Sequence, residues 1–263
     1  MIRRCISGLL VATVAIAGLT ACGSGDRDEL VIGATPVPHA EILNFVAKEL
    51  APRADLKVKV IEFTDYVQPN AALGRGIDAN YFQHRPYLDE YSARNGAKLV
   101  SVASVHVEPL GVYSKKLRSL ADVPIGAEVV IPQDATNGGR ALQLLAAHNL
   151  ISIKEGASTE RGITDNPKRL KIKALEAAQL PRSLEDVALA VINGNFALAA
   201  GLNPASDALA LEDAKDNPYA NLLVTKQGNE HDPRMEKLAA LLRSDEVKAF
   251  IERRYVGVVL PAV

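Results

Sequence analysis

The chain has 263 residues, 48% hydrophobic and 23% charged, with no tryptophan and a net charge of −1 at pH 7. That length supports one large domain or two ordinary ones, each with ample core. The near balance of charge leaves no basic footprint for nucleic acid, and no repeat of solenoid period interrupts the chain.

The amino terminus, "MIRRCISGLLVATVAIAGLTAC", combines a basic start (Arg3, Arg4), a short apolar run and small residues before Cys22. This is the pattern of a signal peptide over residues 1–21 rather than of a spanning helix. Leu19-Thr20-Ala21-Cys22 resembles a bacterial lipobox, which implies cleavage before Cys22, a lipid on its sulfur and attachment to a membrane outside the cytoplasm. Removing the leader takes two arginines and no acid, moving the net charge from −1 to −3. Cys5 leaves with it, so no disulfide is expected and the core must stabilise the exported protein alone. Residues 22–28 form a polar tether.

From residue 29 onward, β-branched runs alternate with helical patterns. Strands are expected at 29–36, 56–63, 77–82 and 98–107, with helices at 38–53 and after Tyr66. A second cluster begins with a strand at 128–134 and continues with strands at 169–176, 186–193 and 220–225. An amphipathic helical region broken near Ser244 closes the chain. This alternation argues for α/β sheets with parallel strands. With no Pro/Gly/Ser linker between the clusters, two lobes are expected: 29–109 plus 226–263, and 110–225. Crossings at 106–114 and 220–229 would form a hinge around a ligand cleft.

The stretch "IPQDATNGGRALQLL" (131–145) is unusual in placing Arg140 in the first turn of a helix, where the helix dipole favours anions. Asn137 can cap this helix, and Gly138 with Gly139 can let backbone approach a ligand. A guanidinium beside a helix start is a receptor for a carboxylate. An ion pair with Asp134 that merely fixes the turn explains the same residues equally well. The Gly-Lys-Ser/Thr ending of a phosphate loop is missing.

"VIGATPVPHAEIL", "IDANYFQHRPYLD", "HVEPLGVYSKK", the 131–145 stretch, "LKIKALEAAQLPRSLEDVALAVINGNFA" and "NPYANLLV" resemble segments of the NlpA-type methionine-binding lipoproteins, in the same order along the chain. Gln133 departs from the asparagine common there. The resemblance implies a periplasmic-binding-protein-like fold of type 2, two α/β lobes with ligand between them. It implies methionine as ligand, with a methionine derivative, a methionine dipeptide or another small amino acid as alternatives. It also implies a partner permease with its ATPase, a role in uptake rather than catalysis, and no cofactor.

By the same resemblance Arg140 and Asn137 face the ligand carboxylate, and Asn193 and Asn221 offer neutral amides to the zwitterion. Asn195 is left unassigned, since asparagine is also a common turn residue. Phe82, His84, Tyr87 and Tyr66 form the side-chain wall, where a thioether gains ~0.3–1.5 kcal/mol against aromatic edges. Core packing competes for at least one of Phe82 and Tyr66. His39 with Glu41 and His106 with Glu108 are the pairs that chemistry or a metal could use. Neither has a nucleophile elbow or a zinc spacing.

Overall fold

The structure is a computed structural model describing residues 28–213 and 217–262. The leader, Cys22 and the tether before Asp28 lie outside the described residues. β1 (Glu29–Ala34) leads into a helical segment, residues 36–54, centred on α1 (Glu41–Phe45). β2 (Lys57–Glu62), α2 (Gln68–Ala72), β3 (Ala79–His84), α3 (Arg85–Asn95) and β4 (Leu99–Val107) follow. β5 (Gly111–Tyr113), β6 (Glu128–Pro132), α4 (Ala135–Ala147), β7 (Ser152–Ile153), β8 (Ile163–Asp165) and β9 (Lys171–Leu175) come next. Then come α5 (Leu180–Ser183), β10 (Leu189–Ile192), α6 (Gly194–Ala199), α7 (Pro204–Asp207) and β11 (Ala208–Leu211). β12 (Asn221–Lys226), α8 (Pro233–Leu242), α9 (Asp245–Tyr255) and β13 (Leu260–Pro261) end the chain.

Two sheets organise these elements. The first has the order β13-β4-β12-β3-β1-β2 and the second β11-β5-β10-β6-β9. β1 runs parallel to β2 and β3, and β6 parallel to β9 and β10. Central strands are apolar along their whole length, as in β10 (Leu189–Ile192), because helices cover both faces. Edge strand β2 instead has no fully buried residue. The expected parallel sheets are mixed: β12 is antiparallel to β3 and β4, and β5 is antiparallel to β10 and β11.

Residues 220–225, expected in the second cluster, therefore belong to the first sheet, where β12 fills the slot between β3 and β4. A strand's own pattern reports its burial but not its partner, and the partner here is more than a hundred residues away. The chain passes from first sheet to second between β4 and β5, and returns between β11 and β12. The terminal helices pack on the first sheet's core through Met235, Leu238, Ile251 and Tyr255. Phe250 stacks on Phe45 at 4.4 Å, and Arg254 reaches Glu41 at 3.1 Å. The break near Ser244 is real: Ser244 is the N-cap of α9, accepting from Val247 N–H.

α3 replaces what reads as a turn after the aromatic segment. Pro86 lies in its first turn, and Gly96 ends it in the left-handed conformation (φ 61°). His84 is its N-cap, its side chain accepting from Tyr87 N–H. Among the described residues no helix is long and apolar enough to cross a membrane.

Candidate functional site

Strand ends and helix starts from both sheets meet around one small cavity. β3 contributes Phe82, Gln83 and His84, α3 contributes Tyr87, and the loop after β2 contributes Tyr66. The β4–β5 crossing supplies Glu108, the first turns of α4 supply Asn137 and Arg140, and β12 begins at Asn221. Asn193, the N-cap of α6, and Gly194 and Asn195, its first two residues, complete the lining. All eight residues singled out in the sequence thus line one cavity, with Asn195, Gln83, Glu108 and Gly194 added.

The start of α4 differs from its expected form. Asp134, not Asn137, is the N-cap, and its Oδ1 accepts from Asn137 N–H at 2.9 Å. Asn137 Nδ2 also donates to Asp134, leaving its Oδ1 to accept from Asn193 Nδ2 at 2.9 Å and His84 Nε2 at 3.1 Å. Asn137 thereby ties the second sheet to β3 of the first. Gly138 and Gly139 serve the protein rather than a ligand. A Cβ on Gly138 would come 2.9 Å from Pro132 O, and one on Gly139 2.9 Å from Ala157 O.

Arg140 is only 4% exposed, and it does not pair with Asp134. Its Nε donates to Glu212 Oε1 at 2.8 Å, its Nη2 bonds both Glu212 Oε2 and, at 2.8 Å, the carbonyl of Glu108. The guanidinium also lies 4.3 Å from the Tyr219 ring centroid. Glu212 carries no sequence signal of this role. It sits on the loop after β11, and only the fold brings it to α4.

Aromatic rings build another part of the lining. Tyr66 meets Phe82 at 5.7 Å, Tyr87 at 5.9 Å and Phe196 at 4.8 Å between centroids. Tyr66 Oη bonds Asn195 Oδ1 across the sheets, and Tyr87 Oη donates to Tyr66 O at 3.0 Å. Burial first, and then the Arg140 charge, lowers the His84 pKa to about 3, so its imidazole stays neutral. Asn193 Oδ1 is a buried acceptor with no hydrogen-bond partner among the described residues.

His39, His106 and Glu108 cluster with donor atoms within 4.8 Å of one another. His106 Nε2 stands 2.7 Å and His39 Nε2 3.3 Å from the same Glu108 oxygen. The shorter separation is a hydrogen bond, tighter than two zinc ligands at ~2.0–2.2 Å from a tetrahedral ion would stand from each other.

The family described as NlpA lipoprotein matches residues 30–263. The D-methionine-binding lipoprotein MetQ of Salmonella typhi is 45% identical over 252 residues, covering 91% of this chain and 90% of that protein. A nutrient binding protein from Burkholderia cenocepacia, solved bound to methionine, superposes with a TM-score of 0.86 at 45% identity over 89% of this chain and 100% of that one. A periplasmic substrate-binding protein of an ABC transporter from Coxiella burnetii gives 0.85 at 40% identity over 89% and 100%. With a sequence match over nearly the whole described chain and the same two-sheet architecture, this chain belongs to the NlpA lipoprotein family.

Proposed function

We propose that this protein captures methionine outside the cytoplasm and delivers it to the permease and ATPase of an ABC importer, held at the membrane by a lipid on Cys22. The observation that carries the reading is one small cavity whose lining combines a buried guanidinium, Arg140, with the Tyr66, Phe82 and Tyr87 rings. The methionine-bound Burkholderia relative and the named MetQ relatives support it.

In this reading Arg140 and Asn137 take the α-carboxylate, since a guanidinium grips two oxygens in one plane. Asn221 and the unpaired Oδ1 of Asn193 accept from the ammonium. Neutral His84 packs beside the thioether without adding charge, and Tyr66, Phe82 and Tyr87 bury it. Ligand bound between the sheets favours their approach by its differential affinity for the closed form.

Native mass spectrometry of protein purified without refolding tests this. A released mass of methionine is the expected result, followed by calorimetric titration with the L- and D-forms. A different released solute, with methionine inert in titration, would overturn it.

A further inference from the structure

Glu108 is a buried acid whose surroundings are built for a charge. The residue is 6% exposed and lines the cavity. One oxygen accepts from His106 Nε2 at 2.7 Å and from Asn221 Nδ2 at 3.3 Å, and His39 Nε2 lies 3.3 Å away. The backbone N–H of Asn195 also donates to the carboxylate. A Cβ at position 194 would fall 3.0 Å from Glu108 Oε2, so glycine there leaves the carboxylate room.

Each imidazole is held by a hydroxyl on its far side: Thr35 Oγ1 is 2.7 Å from His39 Nδ1, and Tyr81 Oη bonds His106 Nδ1. With the Tyr81 hydroxyl donating to His106 Nδ1, the hydrogen on His106 Nε2 faces Glu108, while His39 Nε2 lies close to the same oxygen without a hydrogen bond to it. Neither ring is a cation. Burial lowers His39 to about 4, and burial lowers His106 to about 3. The carboxylate is therefore solvated by neutral donors and not neutralised by them. Arg140, the one strong cation nearby, is already paired with Glu212.

We propose that His106 is a positioning residue that holds Glu108 as an ionised carboxylate, and that Glu108 is the counter-charge for the ligand's α-ammonium. The site then selects a free amino acid over analogues whose α-substituent is uncharged. This deepens the methionine reading and rests on it. Burial pushes the Glu108 carboxyl up, with His39, Arg140 and the Asn195 N–H working against that rise. The titratable groups facing Glu108 are His39 from the helical segment, His106 from β4, Tyr81 from β3, Tyr66, Tyr255 from α9 and Arg140 from α4. The tyrosines carrying this influence are themselves raised by burial and stay neutral. A bound ammonium pulls the Glu108 pKa down, so affinity rises with pH through the window above the ordinary carboxylate value.

Calorimetric titration of L-methionine and of its 2-hydroxy analogue, which replaces the ammonium by a hydroxyl, tests this on the whole exported chain. The wild type should prefer methionine by at least about tenfold near neutral pH, since a charge-assisted bond is roughly twice as strong as a neutral one. Lowering the pH to about 5 should shrink that preference as Glu108 takes up a proton. Glu108→Gln should remove it, leaving the hydroxy analogue within about threefold of its wild-type affinity. His106→Phe should move the pH dependence upward, and His106→Gln, which restores a donor, should move it back. Equal loss of both ligands in Glu108→Gln, or a wild-type preference that does not change with pH, overturns the inference while leaving the methionine reading intact. Wild-type protein that binds neither ligand overturns both. The wild-type pH series decides the matter even if a variant fails to fold.

Discussion

Arg140 and Glu212 lie 72 positions apart, yet Arg140 Nε stands 2.8 and 3.0 Å from the two oxygens of the Glu212 carboxylate. Glu212 is anchored in turn by Leu110 N–H at 3.3 Å and Asn217 Nδ2 at 3.0 Å. The guanidinium is thus held in place by the protein itself. This arrangement changes what substitutions at either residue should do.

In the proposed reading, Arg140→Ala removes the partner of the ligand carboxylate. Such truncation costs about 2–5 kcal/mol, so calorimetric affinity for methionine should fall roughly thirty- to several-thousand-fold. The apo protein should also melt lower, because Glu212 and the Glu108 carbonyl lose their donor. Arg140→Lys should recover part of the affinity, lacking the planar fork. Near-native affinity in Arg140→Ala would remove Arg140 from the site.

Glu212→Gln keeps the shape and deletes the charge. The buried guanidinium is then under-compensated, and the apo melting temperature should drop by the equivalent of roughly 1–3 kcal/mol. Methionine, supplying a carboxylate of its own, should raise the melting temperature of Glu212→Gln more than that of wild type. A ligand-induced rise equal in the two proteins would show that Glu212 and the ligand do not share Arg140.

Three buried histidines predict acid lability. The folded-state values are about 4 for His39 and about 3 for His84 and His106, against roughly 6.5 unfolded. Because folding depresses them, their stabilisation is complete above about pH 6.5 and is lost as pH falls toward 4 and then 3. Each contributes a slope of up to ~1.4 kcal/mol per pH unit in that window. Glu108, pushed up by burial, acts with the opposite sign and offsets part of the loss. Chemical denaturation across this range should show a clear fall in stability. His84→Gln should reduce the slope.

Cys22→Ser should leave the protein in the aqueous phase of a detergent partition, since a lipid on that sulfur is the proposed attachment. Continued partitioning with detergent would place the anchor elsewhere.

Much of the site was legible because its chemistry is local. Arg140 stood out as a charge near a helix start, although α4 begins at Ala135 and places it in the second turn rather than the first. The start of α6 at 193–195 and the aromatic run at 81–87 follow strand patterns that end where α/β sheets open. What escaped is set by long-range pairing. Asp134 is the cap in place of Asn137 because the helix begins one turn earlier than its sequence pattern suggests, and Asp134 Oδ1 accepts from the Asn137 N–H. Glu212 has no pattern of its own, and Glu108 reads as part of a crossing until His39 and His106 close around it. α3 was hidden because its polar sequence lacks an apolar stripe, with only Tyr87 and Leu88 buried.

The insertion of β12 between β3 and β4 sets an order of assembly. Until residues 221–226 are in place, β3 and β4 each present an open hydrogen-bonding edge on that side, and the first sheet cannot close. Asn221, the first residue of the strand, pairs in register with His84 and with His106. One late segment therefore completes the sheet and the binding cavity in the same step. The cost is kinetic, since pairing across such sequence distances makes folding slow and leaves two sticky edges exposed meanwhile.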